Sequence, residues 1–86
     1  MYILTEKNII INCDNTKSIE YVLDLGKYNV VAFPGGEIIR VNSKSEAEKC
    51  IKYIYYKLIN NTSISYRDLL EAINNGTQTV SNRCCK

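Results

Sequence analysis

The stretch "YNVVAFPGGEIIRVNSKSEAEKCIKYIYYKLIN", residues 28–60, decides the fold because its hydrophobic pattern changes period partway along. Its first half holds two β-favouring runs, Tyr28–Phe33 and Glu37–Asn42, which predict two strands. Pro34 and Gly35 between them suit the centre of a type II turn, because proline presets φ and glycine accepts a positive φ. In the second half the apolar residues recur every three or four positions, which predicts a helix after the strand hairpin.

Two overlapping capping boxes mark the start of this helix. Ser43 precedes Glu46 by three residues, and Ser45 precedes Glu48 by the same spacing. In either box the serine accepts a backbone N–H while the glutamate reaches back. The helix should therefore begin at one of the two serines and run to about Asn60. Its predicted apolar stripe consists of Ala47, Cys50, Ile51, Ile54, Tyr55, Leu58 and Ile59.

Shorter patterns place the remaining elements. The runs Tyr2–Thr5 and Ile9–Asn12 predict a hairpin, and the alternation over Ser18–Asp24 predicts a third strand. A further capping box at residues 65–68 predicts a short second helix, which the Asn-Gly pair at residues 75–76 would end.

Strands come first along the chain and helices afterwards, an order typical of the α+β class. We therefore predict an antiparallel β-meander of four or five strands packed against one long helix, followed by a short second helix. Residues 1–76 would form a single α+β domain. The polar, aperiodic residues 77–86 would form a flexible tail.

The composition is that of a soluble globular protein with one core. The chain has 86 residues, of which 45% are hydrophobic and 23% charged. Its net charge of +2 is too small to imply, by itself, binding to nucleic acid or to an anionic membrane. Residues 1–13 lack the apolar segment of a signal peptide and cannot span a bilayer, so we expect a cytoplasmic protein that does not bind a membrane.

The residues that usually carry catalysis or metal binding form no recognisable site. The chain has no histidine, and Cys13 and Cys50 have no evident general base, so we expect no enzyme activity. In a reducing cytoplasm the cysteines should be free thiols. The adjacent Cys84 and Cys85 offer two ligands where tetrahedral zinc needs four, so we expect neither a metal nor a cofactor.

Lysines and tyrosines occupy the side of the long helix that lies opposite its apolar stripe. These residues are Lys49, Lys52, Tyr53, Tyr56 and Lys57. Because tyrosine supplies rigid contact area and lysine supplies positive charge, this side could dock an acidic protein surface or stack and screen a nucleic-acid strand. A solvated helix face is the simpler interpretation. The chain's three arginines are scattered, which weakens the case for nucleic acid.

The segments "MYILTEKNIIINCDN…IEYV" and "YNVVAFPGGEIIRVNSKSEAEKCIKYIYYKLI" lie within about residues 1–60. Their layout resembles small uncharacterised proteins encoded by phages and other mobile elements of low-GC Gram-positive bacteria, which share a short β-meander followed by one helix. The resemblance implies an accessory protein. Inhibitors of host defence systems, including CRISPR inhibitors, are one class of function that it implies.

The sequence thus predicts a non-enzymatic protein-interaction module. It would bind through the helix side at residues 49–57, through an exposed sheet edge, or through both. Self-association through an edge strand would make the protein a homodimer. The alternative is a small nucleic-acid-binding protein that uses the same basic, tyrosine-rich helix side.

Overall fold

The structure, a computed structural model that describes residues 1–74, has the predicted α+β architecture. Its strands are β1 (Tyr2–Leu4), β2 (Ile10–Asn12), β3 (Ser18–Asp24), β4 (Lys27–Phe33), β5 (Gly36–Val41) and β6 (Ile64–Ser65). Its helices are α1 (Lys44–Ile59) and α2, which begins at residue 66 and continues to the end of the described residues. The predicted end of α2, the predicted tail and the Cys84-Cys85 pair lie outside the described residues.

The strands are divided between two sheets of three, whereas the sequence suggested one meander of four or five. β3, β4 and β5 form an antiparallel meander, and β1 pairs with β2 in the predicted hairpin. β6 pairs in parallel with β1, so the smaller sheet has the order β2-β1-β6. A 3₁₀ turn at Cys13–Asn15 separates β2 from β3. The two residues of β6 are too few to produce an alternating pattern that sequence reading could detect.

Positive φ angles shape both hairpin turns of the meander. Leu25 and Gly26 connect β3 to β4 with φ angles of +51° and +78°, the paired positive values of a type I′ turn. Between β4 and β5, Gly35 has a φ of +149°, so this connection departs from the predicted type II turn, where φ is about +80°. A Cβ atom at Gly35 would lie 2.8 Å from Cγ2 of Ile11. Glycine is therefore required here for the close approach of β2 to the meander.

Side-chain caps define the start of both helices. The Ser43 hydroxyl accepts the backbone N–H of Glu46 at 3.2 Å, and the Glu46 carboxylate accepts the backbone N–H of Asn42 at 3.0 Å. The helix therefore uses the first of the two predicted capping boxes. At α2, the carboxylate of Asp68 accepts the backbone N–H of Ser65 at 2.8 Å, which confirms the second predicted helix start.

Helix α1 lies across one face of the meander and contacts all three of its strands. Within the predicted stripe the buried side chains are those of Ala47, Cys50 and Ile54. Ile59, which the periodicity also places on the stripe, is 83% exposed. The reason is geometric, because five residues after Ile54 the helix has turned by about 140° from the direction of that side chain.

The hairpin formed by β1 and β2 is joined to β5 through Glu6. The backbone N–H of Glu6 donates to the carbonyl of Ile38 at 2.9 Å, and the Glu6 carboxylate accepts the backbone N–H of Arg40 at 3.3 Å. Ile3 and Ile11 of the hairpin belong to the same buried cluster as the apolar side chains of the meander. The two sheets therefore share one hydrophobic core.

Replacing Ile54 by alanine should lower the free energy of unfolding by about 2–5 kcal/mol, because truncating a fully buried isoleucine leaves a cavity. The matched control is Ile59→Ala on the same helix, which should change that free energy by less than about 0.5 kcal/mol because the side chain is exposed. Urea unfolding followed by circular dichroism measures both changes. Equal losses in the two variants would contradict the burial described above.

Replacing Ser43 by alanine should cost about 1 kcal/mol of stability, because the N-cap acceptor for the Glu46 N–H is lost. Ser45→Ala should change stability by less than about 0.5 kcal/mol, since Ser45 lies inside the helix and is exposed. The same unfolding measurement distinguishes the two serines. A larger loss in Ser45→Ala would mean that the second capping box is the one in use.

Candidate functional site

The five predicted binding residues lie on α1, where helical periodicity brings them to one side of the helix. They are Lys49, Lys52, Tyr53, Tyr56 and Lys57, and they are called here the lysine–tyrosine face. Lys52 and Tyr56 are exposed, whereas Lys49, Tyr53 and Lys57 are half-buried. The face therefore has one exposed side, formed by Lys52 and Tyr56, and one half-buried side.

The ammonium group of Lys57 organises the two tyrosines of this face. Its Nζ atom lies 5.4 Å from the ring centroid of Tyr53 and 5.7 Å from that of Tyr56, within the range of cation–π interactions. Such a contact contributes about 0.5–1 kcal/mol at an exposed site. The aromatic rings and the positive charge are thus held in a defined relation before any partner binds.

The two tyrosines differ in what else they contact. Tyr53 packs against the hydrophobic core, so its side chain also supports the fold. Tyr56 is 62% exposed and projects into solvent. A binding partner would therefore meet Tyr56 and Lys52 first, with Tyr53 and Lys57 at the margin of the contact.

Tyr55 makes a contact that its place on the predicted stripe does not reveal. Its hydroxyl oxygen accepts the backbone N–H of Ile19 at 3.2 Å, although the residue is 42% exposed. Ile19 belongs to β3, an outer strand of the meander, so this bond satisfies one backbone group on the strand edge. No pattern in the sequence signals the contact, because the two residues are 36 positions apart.

Arg40 connects the three strands of the meander on the face opposite α1. From β5, its Nη2 atom lies 2.9 Å from Oδ2 of Asp24 in β3, and its Nε donates to Oδ1 of Asn29 in β4 at 2.8 Å. Lys27 stands opposite Asp24 in the ladder between β3 and β4. The Nζ atom of Lys27 donates instead to Oδ1 of Asn42 at 3.0 Å, so Arg40 is the cation that contacts the Asp24 carboxylate.

The two cysteines of the described chain, Cys13 and Cys50, are buried free thiols. Burial raises the pKa of Cys13 above its ordinary value. Burial, with a smaller contribution from the nearby charge of Glu46, raises the pKa of Cys50 to about 12. Both thiols are therefore protonated at neutral pH and are poor nucleophiles. Within residues 1–74, histidine, cysteine and acidic side chains form no group of three or more that could hold a metal ion.

Comparison with known proteins supplies no relative from which a function could be carried over. Searches against protein-family models, curated proteins and solved structures found no match to this chain. Within the described residues, no helix is long and apolar enough to cross a membrane. The geometry and chemistry of the lysine–tyrosine face are therefore what indicate a function.

In a variant with Cys84 and Cys85 replaced by serine, the two remaining thiols should react slowly with an alkylating reagent in the native protein. The thiolate fraction of Cys50 should be lowered on the order of a thousandfold relative to an unfolded chain, because its pKa is about 12. Mass spectrometry over time, with and without denaturant, measures the rates. Rapid labelling of Cys13 or Cys50 in the native protein would contradict their burial.

Proposed function

We propose that this protein is a non-enzymatic interaction module that binds an acidic surface of another protein through the lysine–tyrosine face. The observation that carries the proposal is the position of the Lys57 ammonium, close to the rings of both Tyr53 and Tyr56. It keeps an aromatic pair and a positive charge side by side on a solvent-facing helix. An exposed, ordered tyrosine such as Tyr56 is a residue type that is enriched in protein-binding hot spots.

Tyr56 would be the centre of such an interface. Its large exposed ring can be covered at a low cost in conformational entropy. Lys52 lies one helical turn earlier and adds a charge that acidic groups would attract. The helix beneath both residues is anchored by its buried stripe, so binding would require little further ordering.

The resemblance to small phage and mobile-element proteins makes a component of a bacterial defence system, such as a CRISPR effector, the first class of partner to test. The partner would then be a cytoplasmic protein. An inhibitor of this kind needs binding and no chemistry. That requirement agrees with a chain that has no histidine and whose described thiols are buried and protonated.

Nucleic-acid binding by the same face is the alternative function. Stacking of bases on the tyrosines would compete with the Lys57 ammonium, which already lies over both rings. Arg40, a natural phosphate ligand, is engaged with Asp24 on another side of the molecule. The dependence of affinity on salt concentration distinguishes the two functions. A nucleic-acid complex dominated by phosphate contacts weakens steeply as the salt concentration rises.

The test uses a double variant of the exposed side of the face, Lys52→Glu with Tyr56→Ala, and the matched control Lys17→Glu at an exposed lysine outside the face. Immobilised wild-type protein is exposed to a lysate of a low-GC Gram-positive bacterium, and the retained protein is identified, purified and titrated. Its affinity should fall at least about tenfold for the double variant, because truncating a hot-spot tyrosine typically costs about 2 kcal/mol. Lys17→Glu should leave the affinity unchanged.

Equal affinity for the wild type and the double variant would contradict the proposal, provided that circular dichroism shows both to be folded. Retention of DNA or RNA instead of a protein, lost progressively as salt rises, would establish the alternative function. The salt titration is therefore run on the same samples.

A further inference from the structure

The two outer edges of the meander are covered to different extents. At β5, Glu6 bonds to the backbone of Ile38 and of Arg40, so the β1–β2 hairpin covers that edge. At β3, the Tyr55 hydroxyl accepts the N–H of Ile19 near one end of the strand. Within residues 1–74 no other strand lies beside β3 on that side, so β3 is the open edge of the meander.

The alternation of backbone direction along a strand identifies the groups of β3 that stay open. Because the Ile19 N–H turns away from β4, the N–H and C=O groups of Tyr21 and Leu23 turn the same way. In the described chain β3 pairs with β4 alone. The side chains there are apolar and solvent-exposed, with Val22 46% and Leu23 61% exposed. An open apolar edge of this kind favours pairing with another strand.

We propose that β3 pairs antiparallel with β3 of a second copy of this chain, with Val22 of each copy facing Val22 of the other on the two-fold axis. Tyr21 of each copy then lies opposite Leu23 of the other, and the two residues exchange backbone hydrogen bonds. Two three-stranded meanders become one continuous antiparallel sheet, with both α1 helices on the same face. This interface is a strand edge outside the lysine–tyrosine face, so the inference goes beyond the proposed function.

Two features of the fold limit the pairing to this register. At the N-terminal end of β3, the Ile19 N–H already donates a hydrogen bond to the Tyr55 hydroxyl. At the other end the chain leaves the strand at Leu25, where φ is +51°. Tyr21 and Leu23 are the residues left between these limits. Pairing centred on Val22 satisfies the outward N–H and C=O groups of Tyr21 and Leu23 in each of the two copies.

The charges at the two ends of this interface are of mixed sign. Glu20 of one copy lies opposite Asp24 of the other on the outer face of the sheet, and carboxylates in facing positions repel each other. The guanidinium of Arg40 lies 2.9 Å from the carboxylate of that Asp24 and offsets the repulsion. The two-fold symmetry repeats this arrangement at the other end of the interface. A second copy is the occupant that the backbone favours, because two-fold pairing satisfies the open groups of Tyr21 and Leu23 in both copies.

Pairing would also cover apolar surface that a monomer leaves in water. Val22 and Leu23, which are 46% and 61% exposed, would each be covered in part by the second copy. The edge strand of the smaller sheet, β2, is three residues long and offers a second copy fewer backbone groups. β3, with seven residues, is the better edge for a dimer.

Disulfide cross-linking tests the register in the full-length chain. In a background with Cys84 and Cys85 replaced by serine, Val22→Cys should cross-link into a dimer on mild oxidation, because facing Cα atoms at a non-hydrogen-bonded pair lie about 4.5 Å apart. Glu20→Cys is the matched control on the same strand face. Its two copies would be separated by about 13 Å along the strand and should not cross-link.

Cross-linking of the control alone, of both variants to the same extent, or of neither would overturn the proposal. Light scattering on the reduced wild-type chain should give twice its mass of 9.8 kDa. A monomer at every concentration tested would overturn the proposal as well. The Lys52→Glu, Tyr56→Ala variant should remain dimeric, so a failure of the dimer and a failure of the proposed function can be told apart.

A proline in the edge strand gives an independent test. Leu23→Pro removes an outward-facing N–H and leaves the ladder to β4 in place, and it should lose the dimer. Leu23→Thr keeps that N–H and should retain the dimer. Ile10→Pro makes the equivalent change on the edge of β2 and should also retain it. Loss of the dimer in Ile10→Pro but not in Leu23→Pro would assign the interface to β2 and overturn the proposal. If Leu23→Pro does not fold, the cross-linking result decides.

Discussion

Burial of the α1 stripe against the meander is the interaction on which the rest of the structure depends. Ala47, Cys50 and Ile54 are completely removed from solvent, and their helix contacts all three strands. A chain of this size buries a modest share of its surface, so its stability relies on that one contact being closely packed. The same packing sets the rotation of the helix. That rotation turns Tyr56 to solvent and brings Tyr55 to the edge of β3.

The smaller sheet closes the other side of this core and gives the meander its asymmetry. The absence of a side chain at Gly35 lets Ile11 approach the meander, and Glu6 ties the hairpin to the backbone of β5. One edge of the meander is thereby covered by the chain itself. At the other edge, within the described residues, β3 receives one side-chain hydrogen bond, from its Ile19 N–H to the Tyr55 hydroxyl. The packing that forms the core therefore covers the edge at β5 and leaves most of the edge at β3 open.

The proposed interaction face and the proposed dimer would reinforce each other. Pairing of two β3 strands places both α1 helices on the same face of one sheet, so two copies of the lysine–tyrosine face would be presented together. A partner with a repeated or symmetrical acidic surface would then be bound at two points at once. The second contact would be intramolecular, which raises the overall affinity without any new type of interaction.

Local patterns were enough to predict the α+β class, the strand hairpins and the helix that starts after Ser43, because these features depend on neighbours a few residues apart. They also placed Lys52 and Tyr56 on the exposed side of α1, whereas Tyr53, predicted for the same side, packs against the core. The division into two sheets, the exposure of Ile59 and the bond from Ile19 to Tyr55 could not be read in this way. Each depends on groups far apart in the chain, and their approach is decided by how the helix and the two sheets pack around one core.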